Sequence, residues 1–261
     1  MKKAILTNDG SLFGRRMLAK AAREGSPFTA IIAIRQPVGY YWRLFKGVAR
    51  RLGLVDTLKL AVTDRAAGKR EAAMALAADP ELTRPYTELA EKVYYTDGTN
   101  SPQTEEILRE LAPDILALGQ CGIVRKNILA IPRLGTLNAH PGVLPWYRGM
   151  DSYKWALVNG EPEKIGVSVH WVDEKVDTGK VILVKQLLIP PGGGYNDIQG
   201  LLHDLCAGSM TETISRLERE ERLPGAPQDP AEGKQYYKMP PGMEPAAMES
   251  FARLARTGKD K

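Results

Sequence analysis

The segment 137-LNAHPGVLPWYRG-149 places an amide, Asn138, two residues before an imidazole, His140, and follows them with two prolines. On an extended strand, side chains at i and i+2 point to one face, roughly 6–7 Å apart at the backbone. An amide NH₂ and a protonated imidazole are both hydrogen-bond donors. Two donors converging on one point suit a carbonyl oxygen that becomes an oxyanion. No GxSxG element or other obvious activated nucleophile accompanies them, so the attacking group is expected to belong to the substrate. A strand that merely ends in a polar turn would carry the same residues, and both readings stand at this point.

The flanking residues add to the first reading. Pro141 and Pro145 fix φ on either side of Gly142, Val143 and Leu144. Arg148-Gly149 closes the loop, and Asp151-Ser152 is placed to start a helix as its cap. Downstream, 166-GVSVHWVDEKVDTGKVIL-183 holds Asp177 in a Val-Asp-Thr-Gly turn between two strand patterns. A carboxylate beside His140 would favour the charged imidazole. It could also accept a proton from an attacking amine, directly or through water.

The elements that must position these groups alternate in type. KKAILTN, FTAIIAI, KVYYT, DILALGQCG, GTLNAH, GVSVHWV and VILVKQLLI read as strands. Between them lie helical patterns, among them SLFGRRMLAKAAREG with Ser11 as cap and Gly25 as stop. A long amphipathic helix is expected over about 196–220, with Ile198, Leu201, Leu202, Leu205 and Cys206 on one face. Strands alternating with helices predict an α/β class with a Rossmann-like, mainly parallel sheet and helices on both faces. Active sites of such sheets lie beyond the carboxyl ends of the strands, where the Asn-His pair sits.

The chain has 261 residues, 43% of them hydrophobic, enough for a sizeable core. Two distant cysteines exclude a disulfide framework and leave a zinc site short of ligands, so no metal is expected. The apolar run after Lys2-Lys3 is too short for a signal peptide, and no stretch reaches the length of a spanning helix. A cytoplasmic protein without a membrane span is therefore expected. The net charge of +5 is localised: residues 35–70 hold nine Lys or Arg against two Asp or Glu, an excess of +7.

Asn138-Ala-His140-Pro-Gly-Val-Leu-Pro145-Trp-Tyr-Arg148-Gly149, then Gly166-Val-Ser-Val-His170, then Val176-Asp177-Thr-Gly179, resembles the 10-formyltetrahydrofolate-dependent formyltransferases. That family includes methionyl-tRNA, glycinamide ribonucleotide and sugar N-formyltransferases. The detailed likeness covers about 114–190. It implies catalytic roles for Asn138, His140 and Asp177, with Asn138 and His140 on the formyl oxygen. It implies folate contacts from Gln120, Cys121, Gly122 and Ile123, and from Gly142, Val143, Leu144 and Pro145, with Leu144-Pro145 cis. It also implies 10-formyltetrahydrofolate as formyl donor. The chain departs from the family's pattern in two places: Gly142 replaces the usual Ser, removing a hydroxyl contact, and the helix after Gly149 begins Met-Asp-Ser. The C-terminal barrel of the tRNA enzymes has no room here, which counts against methionyl-tRNA as acceptor. Asn8, Gly10 and Ser11 loosely echo a phosphate loop and, with Arg148, are candidate substrate-binding residues, although a plain strand-to-helix turn explains the first three better.

Other signals are weighed as ordinary. His170 and His203 read as surface or packed histidines, and Cys121 as a small core hydrophobe. The basic stretch 40-YYWRLFKGVARRLGL-54 reads first as an insertion helix docked on the sheet with its charges in water. Its alternatives are a grip on an anionic acceptor, a membrane or RNA. The expected organisation is a catalytic domain over 1–222 with an insertion at about 36–90, then an extension over 223–261 packing on the domain or on a partner subunit. The expected activity is formyl transfer to a small-molecule amine, with a nucleotide-linked amino sugar as the leading acceptor, nucleic acid not favoured and a homodimer open. A formyltetrahydrofolate hydrolase, a methionyl-tRNA formyltransferase-like enzyme and a non-catalytic binding protein are the alternatives.

Overall fold

The computed structural model describes residues 1–189, 192–229 and 231–257. Strands β1 (Lys3–Asn8), β2 (Phe28–Ile34), β3 (Ala90–Thr96), β4 (Ile115–Gly119) and β5 (Gly135–His140) are mutually parallel. A short strand β6 (Tyr147–Gly149) follows, and then β7 (Gly166–Trp171) and β8 (Val181–Gln186), which continue the sheet antiparallel. The order is β3-β2-β1-β4-β5-β7-β8. The chain moves outward from β1 to β3, then returns to place β4 on the other side of β1. That reversal opens a crevice at the carboxyl ends of β1 and β4, where open α/β sheets bind ligands.

Helices cover both faces because the central strands are apolar on both. On one face, α1 (Leu12–Arg23) and α7 (Ile198–Glu220) bring Met17, Leu202, Cys206 and Met210 onto Ile5, Ile31, Ala117 and Val169. On the other, α4 (Pro102–Leu111) and the single turn α5 (Lys126–Leu129) bring Leu108, Leu111 and Ile128 onto Leu6, Ile32 and Leu116. Adjacent residues Ile5 and Leu6 face opposite clusters, as a period of two requires. The Rossmann-like α/β class read from the sequence is thus the class of the fold. Ser11 caps α1 by accepting from the Gly14 amide. The apolar stretch expected as one strand over 181–189 pairs only as far as Gln186, and its strand is a half-exposed sheet edge.

The insertion forms two helices, α2 (Val38–Leu52) and α3 (Leu54–Ala78), joined at Gly53. α2 is not docked on the sheet: it has no buried residue, and α3 buries only Thr57, Leu60 and Ala75. The basic apolar helix therefore stands off the core, which overturns the docked reading.

Past Leu223, strand β9 (Lys234–Tyr236) pairs parallel with β6, and α8 (Glu244–Thr257) packs on α6 (Ser152–Val158). Met239 and Ala247 are buried there, and the rings of Tyr147 and Tyr236 stack 5.0 Å apart. Residue 230 and residues 258–261 of this extension lie outside the described residues. Asp151 does not cap α6; it has left-handed backbone, and its carboxylate accepts from the Met239 amide at 2.8 Å. No helix among the described residues is long and apolar enough to cross a membrane.

Candidate active site

Asn138 and His140 end β5, and their antiparallel partners on β7 are His170 and Ser168. One sheet face thereby carries four polar side chains. The loop between β7 and β8 brings Asp177 over this face. Gly179 makes the approach possible: a Cβ there would lie 1.8 Å from the Trp171 carbonyl oxygen, so only glycine lets the turn fold back on β7. Asp177 itself has φ 53°, a left-handed conformation that Asp and Asn tolerate better than most residues. Gln228 fixes the turn by donating to the carbonyls of Asp177 and Gly179.

The Asp177 carboxylate collects donors from three directions. Its Oδ2 accepts from the Gly149 amide at 2.9 Å and lies 3.4 Å from His140 Nδ1. Its Oδ1 lies 3.4 Å from Asn138 Nδ2 and 3.5 Å from His170 Nε2. Burial would raise the carboxyl pKa. The charge of His140, the hydrogen bond and charge of His170 and the Gly149 amide outweigh it, holding Asp177 well below the usual carboxylate range.

Two backbone carbonyls place the ring protons. His140 Nε2 lies 2.7 Å from the Tyr147 carbonyl oxygen, which only accepts, so Nε2 carries hydrogen. Nδ1 then faces the carboxylate, and a proton there makes an ion pair. His170 Nδ1 lies 2.8 Å from the Trp171 oxygen and carries hydrogen likewise. Its Nε2 lies 3.2 Å from Asn138 Nδ2 and faces the Asp177 carboxylate.

A cavity of about 190 Å³ opens onto this cluster. Asn138, His170 and Asp177 line it on one side, and Gln120–Val124 on the other. His140 is 3% exposed and stands behind them, not on the cavity. Asn138 is on the cavity and His140 behind it, so the structure does not bring the two onto one cavity wall. Asn138 shares the cavity with His170, because the neighbour directly across an antiparallel pair is nearer than the residue two along the strand. His170, read from the sequence as ordinary, is 1% exposed and belongs to the site. His203 stays apart, paired with Glu71 at 2.7 Å.

Gln120–Ile123 turns away from β4 through positive φ at Gln120 and Gly122, leaving Gln120, Gly122 and Ile123 exposed and Cys121 buried. Burial pushes the Cys121 thiol up to about 12, so it remains protonated at neutral pH. Gly142, Val143, Leu144 and Pro145 are buried and do not line the cavity; the Leu144–Pro145 peptide is cis. The Ser152 hydroxyl lies beside Gly142. Ser152 Oγ lies 3.3 Å from His140 Nε2, and a Cβ on Gly142 would meet that Oγ at 2.7 Å.

The N-terminal turn reaches the same crevice. Ser11 Oγ donates to Gln120 Oε1 at 2.9 Å, the Gly10 amide donates to the Tyr86 hydroxyl, and Asn8 Oδ1 accepts from Gln36. Arg148 is not with them: it is buried and donates to the Gly233 carbonyl in the C-terminal extension. No group of three or more His, Cys, Asp or Glu among the described residues could hold a metal ion.

The fold recurs in known proteins. Glycinamide ribonucleotide transformylase 1 of Symbiobacterium toebii superposes with a TM-score of 0.56 at 20% identity, over 87% of this chain and 93% of that one. A sugar N-formyltransferase from a Shewanella species gives 0.54 at 11% identity, over 96% and 87%. These likenesses concern the fold. In sequence, the methionyl-tRNA formyltransferase of Syntrophus aciditrophicus is 35% identical over 136 residues, 52% of this chain and 42% of that enzyme. The Roseiflexus enzyme of the same name is 31% identical over 169 residues, 64% and 50%. The chain spans about half the length, or less, of the curated relatives it matches. The formyl transferase family model matches residues 61–214, a span that runs from α3 into α7 and takes in Asn138, His140, His170 and Asp177, and the chain belongs to that family.

Proposed function

We propose that the protein transfers a formyl group from 10-formyltetrahydrofolate to the amine of a small-molecule acceptor. The observation that carries this reading is the cavity beyond the carboxyl ends of β4 and β5, lined by Asn138, His170 and Asp177 together with Gln120–Val124. Its volume suits the ring end of a folate rather than the whole molecule. The amine nitrogen attacks the formyl carbon, a C–N bond forms, and the carbonyl oxygen takes the negative charge. The bond to folate N10 then breaks, the amine loses a proton and N10 gains one. Asn138 donates to the oxyanion. Its present contacts to Asp177 and His170 are long, so a shorter bond to the oxyanion replaces them at little cost. Asp177 pairs with His140, and that pairing offsets the carboxylate charge that would otherwise face the oxyanion.

The acceptor reading is supported by a second cavity, of about 670 Å³, between α2 and β9. Arg43, Arg51 and Lys234 surround apolar walls that include Trp155 and Tyr236. Cations beside aromatic rings suit a phosphate-bearing ring compound, such as a nucleotide-linked amino sugar. Met150 lines this cavity, and the preceding residue is Gly149, whose amide donates to Asp177. A second reading, methionyl-tRNA as acceptor, is favoured by the names of the curated relatives.

The test is calorimetric titration of 5-formyltetrahydrofolate, a stable mimic of the donor, followed by turnover with nucleotide amino sugars and with methionyl-tRNA. Binding to the 190 Å³ cavity is expected, and so is turnover with an amino sugar. Asn138→Ala is expected to lower kcat by on the order of 10²–10³. His170→Ala should lower it too, by freeing the Asn138 amide to turn. Folded protein that binds no folate sinks the proposal. Formate release at full rate without any acceptor would replace it with hydrolysis.

A further inference from the structure

We propose that the α2–α3 hairpin is a docking surface for an anionic lipid bilayer. Of the nineteen large hydrophobic residues that are exposed among those described, eight fall between Val38 and Val62. On α3, Leu54, Val55, Leu58 and Val62 follow the spacing i, i+1, i+4, i+8, which places them on one stripe of the helix. They lie opposite the buried Thr57 and Leu60, and Val55 and Val62 are 66% and 70% exposed. On α2, Val38, Trp42 and Phe45 share a stripe, with Trp42 57% exposed and stacked on Phe45. Exposed apolar side chains in this number on one hairpin exceed what isolated surface residues explain.

The charge on the hairpin selects the partner. Residues 35–70 carry an excess of +7, while the chain as a whole carries +5. Arg43, Lys46, Arg50, Arg65, Lys69 and Arg70 have no carboxylate within ion-pair distance among the described residues. A second copy docking through the same face would bring two such excesses together, which opposes a self-complementary dimer. An RNA backbone would answer the cations but leave the Leu and Val stripe in water. An anionic bilayer answers both: the apolar stripe enters the headgroup boundary and the cations meet the negative surface. Trp and Tyr at such a boundary keep their polar edges wet, as Trp42 and Tyr41 can. The inference does not depend on the identity of the acceptor.

The test is co-sedimentation of the full chain with vesicles of phosphatidylcholine alone and of phosphatidylcholine with phosphatidylglycerol, at low and high salt. Binding is expected to the anionic vesicles, to be released by salt, and to be absent from neutral ones. Removing one cation, in Lys46→Gln or Arg50→Gln, should weaken it about fivefold, as a basic residue near an anionic surface contributes. Leu58→Ser with Val62→Ser should abolish it while leaving 5-formyltetrahydrofolate binding unchanged, since both side chains are exposed and outside the 190 Å³ cavity. Three results would overturn the proposal: no difference between vesicle types, binding unaffected by Leu58→Ser with Val62→Ser, or a dimer by light scattering that Leu58→Glu dissociates in a protein that ignores vesicles.

Discussion

Asp177 holds its place by charge more than by geometry alone. Its contacts to Asn138 and His170 are long, yet His140, His170 and the Gly149 amide together overcome the cost of burying it. A carboxylate held below the usual range pairs with His140 as a charge. The pKa depression has a consequence for stability. A carboxyl whose folded pKa lies below its unfolded value of about 3.9 stabilises the fold above that value and loses the contribution as pH falls through the folded pKa. Asp177→Asn keeps the left-handed backbone accessible. The difference in thermal midpoint between wild type and Asp177→Asn should be level near neutral pH and shrink below about pH 4. A difference that stays flat into strong acid would mean the carboxyl is not depressed in solution. Asn138, His140 and Asp177 could be picked from the sequence because two sit at i and i+2 and the third in a Val-Asp-Thr-Gly turn. His170 could not, because its role comes from lying across from Asn138 in an antiparallel pair, and pairing partners are not written in local spacing.

The elements set these positions through close backbone approach. The turn carrying Asp177 touches β7 so closely that Gly179 has no room for a side chain. Gly179→Ala should therefore displace the turn, lower the thermal midpoint through about 1–3 kcal/mol of overpacking, and cut turnover more than Asn138 substitution alone would through lost binding. Retained wild-type activity in this variant would show that Asp177 is not held by the turn. Strand and helix order was legible because periodicity survives in single segments: α1 with its Ser11 cap and β5 at Gly135–His140 fall where the pattern puts them. β8 ends early because its hydrophobicity is shared between the sheet and the edge, and a run of apolar letters does not say which residue is the last to pair.

The molecule as a whole is closed by its C-terminal extension. β9 pairs with β6, Trp155 donates to the Tyr237 carbonyl at 2.9 Å, and Lys154 meets Glu244 at 2.6 Å. Burying Met239 alone contributes about 2 kcal/mol. Truncation after residue 222 should lower the thermal midpoint by at least about 4–8 °C for a domain of this size, and it should uncover Tyr147 and the loop that carries Gly149. A truncated chain that melts like the full one would mean the extension is only loosely associated.

Residue types and their spacing were enough to establish an α/β chain, a polar pair at a strand end and a carboxylate turn downstream, because each is a local pattern read within a few residues. Folding in three dimensions set His170 across from Asn138, put His140 behind the cavity, brought the Ser152 hydroxyl beside Gly142, and left α2 without a core to bury it. All four depend on which segments meet, and that is settled by the summed packing of the whole chain rather than by any one stretch of it.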